Sequence, residues 1–491
     1  MTVQMIGFVP QSNEPLQTAL RRAIVTAIGD GRLAPGQRLP PTRVLAQQLG
    51  IARNTVAAAY DDLVEAGVLA SAARRGVFVG LRPTNVQTPE PQAPTDRLDW
   101  NSRLKLLPTR QRNIVKPADW QSYPYPFVYG QVDPTLFPLP DWRACSRDAL
   151  GRAAVNWWAA DHATTDDPLL IEQIRRHVLP RRGIYARADE ILITLGSQHG
   201  LYLLAQLLIG PETVVGIEDP GYPDARNIVA LTPGTMRLMP VDSGGLSIGP
   251  HLDGVNLVIT TPTNQCPTMV TMPQDRRAAL LEWARTADAL IIEDDYESDI
   301  SGDPKNLPAL AAASADGRVL HLGTFSKVLA PGVRLGYLVG PAPVIEEARA
   351  LRRLVHRSVP LNNQRTAALF IADGHYEGLI RRLSVTMAER RATASAGVAR
   401  YLPDFEVSSA ESGSSLWLKG PLGLTARTLA AEAQRRGVVI ERGDLFFADA
   451  NEGASFVRLG FSSIAIERIA PGLAILAEVA SDLMTGRGHA E

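Results

Sequence analysis

The sequence predicts a multidomain chain in which a small helical module with a terminal hairpin precedes a large α/β region and a smaller α+β lobe. Its 491 residues are more than one ordinary domain contains. Helix-period apolar stripes dominate the start, alternating strand and helix patterns follow from Tyr123, and a proline-rich polar stretch without a period lies between them. We therefore predict a first domain at residues 1–80, a linker at 81–119 and a large domain at 120–491.

Bulk composition is typical of a globular protein. Hydrophobic residues make up 45% and charged residues 21% of the chain, which suits a large buried core. The apolar runs are too short to cross a bilayer, and the N-terminus has no basic segment leading into an apolar stretch. The two cysteines, Cys145 and Cys266, are too far apart in sequence to suggest a disulfide framework. We expect a cytoplasmic location, with no membrane partner and no metal site.

The formal net charge of -1 hides an uneven distribution of charge. Residues 1–82 contain nine arginines, no lysine and five acidic residues, which is a surplus of four positive charges. The remainder of the chain is therefore acidic by about five. A basic small domain attached to a slightly acidic large one is typical of a nucleic-acid reader joined to another module.

Apolar stripes predict helices over Pro15–Ile28, from Thr42 to Gly50 and from Arg53 to Ala66, followed by a hairpin that ends at Val79. This is the winged helix-turn-helix layout, in which the last helix enters the major groove of DNA. The candidate DNA contacts are Arg53, Asn54 and Thr55 for bases and phosphates, Arg43 for the backbone, and Arg74 and Arg75 at the wing. The alternative is a protein-binding module with solvated arginines.

A long string in this region carries a resemblance to a known family. Beginning at Leu33 it reads L-x-P-G-x-R-L-P-P-T-R-x-L-A-x-x-L-G, and from Arg53 it reads R-N-T-V-x-x-A-Y-x-x-L. Over residues 14–80 the chain resembles the GntR family of bacterial regulators, which implies that its partner is double-stranded promoter DNA. The wing departs from the family, because a single Gly76 replaces the usual G-S-G-like tip.

A rare pattern surrounds one lysine in the large region. The segment Thr324–Gly336 reads T-F-S-K-V-L-A-P-G-V-R-L-G and follows an apolar, strand-like run. Lys327 can form a Schiff base with an aldehyde cofactor, while Thr324, Ser326 and Arg334 can hold a phosphate. The alternative is a surface loop with a solvated lysine. The spacing resembles the cofactor segment of fold-type I pyridoxal 5′-phosphate (PLP) enzymes, the aspartate aminotransferase superfamily.

Upstream residues provide further candidate cofactor contacts. Gly196, Ser197 and Gln198 lie where a strand gives way to a helix, so their backbone N–H groups can face a phosphate. Tyr222 follows a strand end, where the superfamily stacks an aromatic ring on the pyridine. The alternative for this tyrosine is ordinary packing.

Two adjacent carboxylates end a buried strand. A buried carboxylate needs a partner, and the protonated pyridine nitrogen supplies one. We assign Asp294 this role and Tyr296 the contact to the 3′-oxygen of the ring. Asp295 is the competing carboxylate, and helix capping is the alternative for either.

Two other positions bear on what the domain does. Residues 261–269 lie where the superfamily has its N-P-T-G turn, but Cys266 replaces the asparagine. The asparagine's contact with the ring is then missing or is supplied by Asn264 or Gln265, which argues against efficient transamination. Arg458, in an apolar strand, looks like the superfamily's arginine that binds a substrate carboxylate, here an effector's. The alternative is structural pairing with an acid.

A GntR-type winged helix joined to an aminotransferase-like domain resembles the MocR subfamily of bacterial regulators over nearly the whole chain. The resemblance implies PLP as cofactor, a head-to-tail homodimer, and promoter binding that is switched by PLP or by its aldimine with an amino compound at Lys327. We expect a PLP-dependent transcriptional regulator without physiological turnover. Two alternatives stay open: an aminotransferase with an incidental DNA-binding module, and a vitamin B6 sensor that responds to PLP alone.

Overall fold

The structure is a computed structural model that describes residues 5–11, 14–72, 75–80, 98–300, 307–408 and 412–486. The chain divides into two compact units, Met1–Leu106 and Leu107–Glu491. No helix in the described ranges is both long enough and apolar enough to cross a membrane.

The first unit is a small helical bundle that ends in a hairpin. Its elements are α1 (Leu16–Gly29), α2 (Thr42–Leu49), α3 (Arg53–Glu65), β1 (Leu69–Ala72), β2 (Gly76–Val79) and the short helix α4 (Trp100–Arg103). Apolar residues of α1 and α3, such as Leu20, Ile24 and Leu63, pack in one core. Gly50 ends α2 in a left-handed conformation at φ 67°, which glycine adopts without steric strain. The hairpin strands pair antiparallel, so the predicted winged helix-turn-helix fold is confirmed.

The second unit begins with an α/β region. Its elements are β3 (Tyr125–Pro126), α5 (Leu139–Ala149), α6 (Arg152–Trp158), α7 (Pro168–Gln173), β4 (Ile191–Thr194), α8 (Ser197–Leu208), β5 (Val214–Asp219), α9 (Pro223–Val229), β6 (Thr235–Asp242), β7 (Gly245–Leu246), β8 (Leu257–Thr260), α10 (Gln274–Thr286), β9 (Leu290–Asp295), α11 (Leu310–Ala313), β10 (Val319–Thr324), β11 (Gly336–Val339) and α12 (Ala342–His356).

The chain then continues into longer helices and a second sheet. These elements are α13 (Leu361–Ala372), α14 (His375–Tyr401), β12 (Glu406–Val407), β13 (Ser415–Lys419), α15 (Ala426–Arg435), β14 (Val438–Val439), β15 (Glu441–Arg442), β16 (Phe456–Gly460) and α16 (Ile466–Met484).

An eight-stranded sheet with the order β4-β11-β10-β9-β8-β5-β6-β7 forms the centre of this unit. The strands from β10 to β6 in that order run parallel, while β11 and β7 run antiparallel to their neighbours. Most positions of the inner strands are buried, because helices cover both faces of the sheet. The carboxyl ends of the parallel strands meet along one edge, which is where open α/β sheets bind ligands.

The smaller lobe is built on a four-stranded antiparallel sheet with the order β12-β13-β16-β15. Residues of this sheet and of α14, α15 and α16 share one apolar core. The large sheet together with this lobe confirms the predicted fold class, a fold-type I aminotransferase-like domain with a small α+β lobe.

The second unit starts at Leu107, within the segment expected to be linker. Gln111 donates to the carbonyl of Asn227 at 3.2 Å, and Arg112 donates to the carbonyl of Phe447 at 2.9 Å. These residues are therefore bound to the body of the unit. Residues 81–97 of the expected linker lie outside the described residues, and the three-part division stays a prediction.

Asp166 fixes the first strand of the large sheet against α12. Its carboxylate accepts hydrogen bonds from Arg349 at 2.5 Å, from Arg352 at 2.6 Å and from the backbone N–H of Ile193 at 3.3 Å. The side chain of Arg352 is fully buried. Because Ile193 lies in β4, three residues before Gly196, this ion pair also positions the turn that leads into α8.

We expect Asp166→Ala to lower the free energy of unfolding by about 3–5 kcal/mol, because it leaves buried arginines without a counter-charge. The measurement is the urea midpoint followed by tryptophan fluorescence, which reports mainly on this unit, since residues 107–491 contain six of the seven tryptophans. In Asp148→Ala, the control, an exposed pair with Arg147 is lost, and the change should stay below about 1 kcal/mol. Equal shifts of the urea midpoint in Asp166→Ala and Asp148→Ala would contradict this explanation.

Candidate functional site

A cavity of about 390 Å³ opens at the carboxyl edge of the large sheet. The structure brings every residue that the sequence predicts for cofactor and effector binding to its lining: Gly196, Ser197, Gln198, Tyr222, Asp294, Tyr296, Thr324, Ser326, Lys327, Arg334 and Arg458. The cavity is also lined by residues that the sequence did not predict for the site: Asn113, Ile114, Lys116, Tyr129, Gly130, Gln131, Asp224, Thr261, Pro331 and Glu441. Most of these stand in stretches without a recognisable motif.

Lys327 presents its amine to the cavity beside an aromatic ring. Its Nζ atom lies 4.5 Å from the centroid of the Tyr129 ring. A Cβ atom on Gly130 would lie only 2.4 Å from this Nζ, and Gly130 has φ 72°, so a glycine here leaves room for the lysine. Burial lowers the pKa of the Lys327 amine. A lower pKa leaves more of the amine in the neutral form that attacks an aldehyde.

The start of α8 and the segment after Lys327 form a cradle for an anion. Gly196 precedes the helix with φ 89°, and the first N–H groups of a helix have no partner within it. The guanidinium of Arg334 hydrogen-bonds the carbonyl of Leu195 and therefore lies beside these groups. The backbone N–H of Ser326 donates to the hydroxyl of Thr324 at 3.1 Å, which fixes the loop that carries Lys327.

The two carboxylates at the end of β9 have different surroundings. Asp295 is buried and forms an ion pair with Arg182 at 2.6 Å. Asp294 lines the cavity, and its Oδ1 atom is buried without a hydrogen-bond partner in the described structure. Burial raises the pKa of Asp294 to about 7, although a hydrogen bond from Ser197 partly offsets this. An unpaired buried carboxylate that faces a cavity is suited to a cationic ligand group.

The tyrosines of the cavity are neutral hydrogen-bond donors. Tyr129 donates to Glu297 at 2.8 Å, Tyr296 donates to the carbonyl of Asn264 at 2.8 Å, and Tyr222 donates to Asp224 at 3.1 Å. Burial raises the pKa of Tyr129, Tyr222 and Tyr296. Their rings therefore provide an apolar, aromatic lining with fixed hydroxyl groups.

Within residues 261–269, Thr261 and Cys266 line the cavity, and Cys266 stands at the predicted asparagine position. Gln265 is held elsewhere by hydrogen bonds from its amide to Glu218 at 3.2 Å and to the carbonyl of Pro220 at 2.9 Å. Asn264 accepts a hydrogen bond from Ser412 at 2.7 Å, and neither amide residue lines the cavity. Burial raises the pKa of the Cys266 thiol to about 12, so it stays protonated. The ring contact of the superfamily's asparagine is not taken over by either neighbour.

Arg458 lines the cavity but already has a carboxylate partner. Its Nε donates to Oε2 of Glu441 at 2.7 Å, and both side chains are almost fully buried. Burial alone would lower the pKa of this guanidinium, but Glu441 outweighs that effect and the pKa is raised. The pairing with an acid, which the sequence left open as an alternative, is present.

The lining residues fit PLP. Lys327 offers an amine for its aldehyde, the cradle at α8 offers donors for its phosphate, and the unpartnered Oδ1 of Asp294 offers a counter-charge for its pyridine nitrogen. The volume of about 390 Å³ is within the usual range for small-molecule sites, about 300–1,000 Å³.

The first unit presents unpaired basic residues at the predicted DNA-reading positions. Arg43 at the start of α2, Arg53 and Asn54 at the start of α3, and Arg75 in the hairpin turn are exposed, and Thr55 is half-buried. Within the described ranges none of these arginines forms an ion pair, whereas Arg21, Arg22 and Arg32 pair with Asp62, Glu14 and Asp30. Arg74 lies outside the described residues.

Comparison with known families and proteins identifies both units. Residues 16–79 match the family of bacterial regulatory proteins called gntR, and residues 160–470 match aminotransferase class I and II. The HTH-type transcriptional regulator TauR of Rhodobacter capsulatus is 42% identical over 97% of this chain and 98% of its own length. The probable rhizopine catabolism regulatory protein MocR of Rhizobium meliloti is 28% identical over 86% of this chain and 85% of its own length.

A solved structure supports the fold of the large unit. The crystal structure of an archaeal alanine:glyoxylate aminotransferase matches with a TM-score of 0.68 and 27% identity, covering 72% of this chain and 90% of that chain. The chain combines a DNA-binding unit with an aminotransferase fold, and it is similar to TauR over nearly the whole length of both chains. Both findings indicate the same family. This chain belongs to the MocR type of GntR-family transcriptional regulators, whose helix-turn-helix unit is joined to an aminotransferase-like domain that uses PLP.

Proposed function

We propose that this regulator binds promoter DNA through the start of α3, and that PLP at Lys327, alone or together with an amino compound, controls this binding. The observation that carries the proposal is the convergence of Lys327, Asp294 and the α8 cradle on one cavity, in a chain that also presents unpaired arginines at the DNA-reading positions.

Each part of the cofactor has a proposed partner among the lining residues. Gly196, Ser197, Gln198, Thr324, Ser326 and Arg334 hold the phosphate, Tyr222 stacks on the ring, Asp294 pairs with the pyridine nitrogen, and Tyr296 contacts the 3′-oxygen. When bound, PLP supplies an aldehyde that condenses with primary amines. Lys327 holds the cofactor until an effector amine takes its place.

The turn that contains Cys266 supports sensing rather than turnover. The superfamily places an asparagine at this position, and in this chain neither Asn264 nor Gln265 lines the cavity. Without that contact the ring is held by fewer groups, which lowers the expected rate of transamination. A receptor needs the cofactor to bind and to exchange amines, and it needs no fast chemistry after that.

An effector can change promoter binding only if it binds two states of the protein with unequal affinity. We propose that the exchange of Lys327 for an effector amine supplies this difference, and that a homodimer passes it to both DNA-binding units. A dimer also suits operators with two half-sites. Light scattering of the purified chain tests its oligomeric state.

The central test uses Lys327→Ala. We expect the wild-type chain to bind a fragment from upstream of its own gene with an affinity that PLP, or PLP with an amine, changes at least about fivefold, a coupling of roughly 1 kcal/mol. The variant should lose this response because it lacks the Lys327 amine that holds the aldehyde. Fluorescence anisotropy with the labelled fragment measures the affinities.

Lys419→Ala is the matched control, because Lys419 is exposed and its ion-pair partner among the described residues is Glu406. It should respond as the wild type does. A variant without Lys327 that still responds fully to PLP and amine would refute the mechanism. Rapid transamination of an amino acid with a keto acid, together with no binding to the upstream fragment, would favour the enzyme alternative.

In PLP-free protein, the stability of Asp294→Asn relative to the wild type should depend on pH. The pKa of Asp294 is about 7 in the folded state against an ordinary value of 3.8, so between these values the native state holds a proton that the unfolded state has released. Stability then falls as pH rises through this window. Asparagine has no proton to lose. The free energy of unfolding of the variant, relative to that of the wild type, should therefore rise from about pH 4 to pH 7 by on the order of a few kcal/mol. Above pH 7 this difference should stay constant.

Urea midpoints at a series of pH values measure this difference. Saturation with PLP should reverse the order, because the cofactor nitrogen gives Asp294 its counter-charge, whereas the neutral amide of the variant cannot form that ion pair. The exposed Asp148→Asn is the control and should show no such pH-dependent difference. A stability difference that does not vary with pH would show that Asp294 is not the group that titrates.

Substitutions at the start of α3 should separate base contacts from phosphate contacts in the first unit. Asn54→Ala should weaken binding to the upstream fragment by about 1–3 kcal/mol and leave binding to unrelated DNA almost unchanged. Arg53→Ala should weaken binding to both and reduce the slope of log affinity against log salt by about 1. Arg21→Ala is the control, since Arg21 pairs with Asp62. Unchanged affinity in both α3 variants would exclude this helix as the reader.

A further inference from the structure

Two histidines outside the cavity hold the turn that leads into the anion cradle. His199 lies in the first turn of α8, and His356 is the last residue of α12. Their Nε2 atoms are 3.1 Å apart, and their ring centroids are 4.6 Å apart. Neither side chain lines the cavity of about 390 Å³. Any effect of this pair on a ligand must therefore pass through the turn between β4 and α8.

The hydrogen bonds of the pair admit one arrangement of protons on neutral rings. The backbone N–H of Leu195 donates to His199 Nδ1 at 3.1 Å, so the proton of this ring is on Nε2. This Nε2–H group donates to Nε2 of His356. The proton of His356 is then on Nδ1, which lies 3.3 Å from the carbonyl oxygen of Ser358. Each ring is thus an acceptor on one side and a donor on the other.

The surroundings of His199 keep its ring neutral at neutral pH. Burial is the main cause that lowers the pKa of His199 to about 4, and His356, Arg352 and Arg334 act in the same direction. A protonated ring would turn Nδ1 into a donor that faces the N–H group of Leu195. The neutral ring is therefore the form that holds the turn.

The turn itself is fixed at successive peptide groups. The guanidinium of Arg334 hydrogen-bonds the carbonyl of Leu195, and the hydroxyl of Thr194 donates to the carbonyl of Gly196 at 2.9 Å. In a trans peptide the N–H group points away from the carbonyl, so these bonds orient the N–H groups of Gly196 and Ser197. The histidine that accepts from Leu195 fixes the preceding peptide group. If that bond is lost, this peptide group can rotate, and the donors after it are held less firmly.

Helix α12 contacts this region at two points that are one helical turn apart. Arg352 donates to the carbonyl of Ile193 at 2.7 Å. His356, four residues later on the same face of the helix, reaches Leu195 through His199. The first contact holds the end of β4, and the second holds the turn after it. The C-terminal end of α12 is therefore part of the support of the anion cradle.

We propose that His199 and His356 are positioning residues for the phosphate of the bound cofactor. The pair keeps the N–H groups of Gly196 and Ser197 directed at the phosphate and does not itself touch the cofactor. The inference rests on the proposed function, because it concerns the phosphate site that this function requires. It adds a route by which the end of α12 affects cofactor affinity.

PLP and pyridoxal test the proposal, because pyridoxal has the same ring and aldehyde but no phosphate. Each is titrated into full-length wild-type protein and into His199→Leu while the visible absorbance of the cofactor is followed. The variant should bind PLP at least about tenfold more weakly, the ratio expected when one charge-assisted hydrogen bond is lost. Pyridoxal binding should stay almost unchanged, because its ring and aldehyde meet Lys327, Asp294 and Tyr222, which lie on other segments.

His199→Gln distinguishes positioning from simple packing. The new amide has an acceptor and a donor, so it can accept from Leu195 and donate to His356 as the imidazole does. We expect this variant to bind PLP within about threefold of the wild type. A folded His199→Leu that loses PLP and pyridoxal affinity equally, or loses neither, would overturn the proposal. A loss of PLP affinity in His199→Gln as large as in His199→Leu would overturn it as well.

His356→Leu keeps the proposal testable if His199→Leu does not fold. It removes the acceptor of the His199 proton and should weaken PLP binding severalfold, again with pyridoxal almost unchanged. A folded His356→Leu with wild-type affinity for PLP would contradict the proposal. The double variant should lose no more PLP affinity than His199→Leu, since both changes break one chain of hydrogen bonds. Losses that multiply would show that the two residues act separately, against the proposal.

His251→Leu is the matched control. His251 is also half-buried and also hydrogen-bonds a backbone carbonyl, that of Ser247 at 2.6 Å, but it belongs neither to the turn nor to the cavity lining. PLP and pyridoxal should bind this variant as they bind the wild type. If the wild type binds PLP no more tightly than pyridoxal, the phosphate site of the proposed function fails. If it prefers PLP and both histidine-to-leucine variants keep that preference, only the present inference fails.

Discussion

A charge removed from water is stable only beside an opposite charge, and this constraint shapes the second unit from its sheet to its cavity. Asp166 meets Arg349 and Arg352, and so joins α12 to the first strand of the large sheet. Asp295 meets Arg182, which lies more than a hundred residues earlier in the chain. Each pair fixes two elements that are distant in sequence. Breaking one would leave a charge in a place that water cannot reach.

Asp294 departs from this rule, and the departure is the basis of the site. It is almost as buried as Asp295, but Ser197 is its partner instead of an arginine. Its carboxylate therefore holds a proton at pH values where carboxylates are normally charged. A buried carboxylate without a counter-charge lowers the stability of the ligand-free protein. Proteins commonly keep such a group where function requires it, because a bound ligand then supplies the counter-charge. In the proposed function the cofactor nitrogen supplies the missing charge, which would link cofactor binding and stability at this residue.

The fold is shared with aminotransferases, but a fold does not determine which function it serves. In this chain the differences lie in single contacts around a common cavity. A protonated thiol, Cys266, occupies the position of the superfamily's asparagine, and Glu441 neutralises the arginine that would bind an α-carboxylate. If these positions correspond to those of the superfamily as the sequence predicts, both changes remove contacts that turnover of α-amino acids would use.

The sequence by itself determined the elements whose signals are local. Helix-period stripes and glycine stops give the helices of the first unit, and the rare spacing around Lys327 predicts the cofactor segment, because these signals lie within a few turns of chain. Asp294 and Asp295 are adjacent and carry the same chemistry. Only the position of β9 in the sheet decides that one side chain faces the cavity and the other faces Arg182.

The tertiary structure also decided what surrounds Arg458. Glu441 stands seventeen residues away, and the antiparallel register of β15 and β16 is what brings the two together. Lys116 and Tyr129 reach the cavity from segments without a motif, far upstream of Lys327 in the chain. Such contacts depend on how distant segments pack, and the pattern of residues along any one segment does not contain that information.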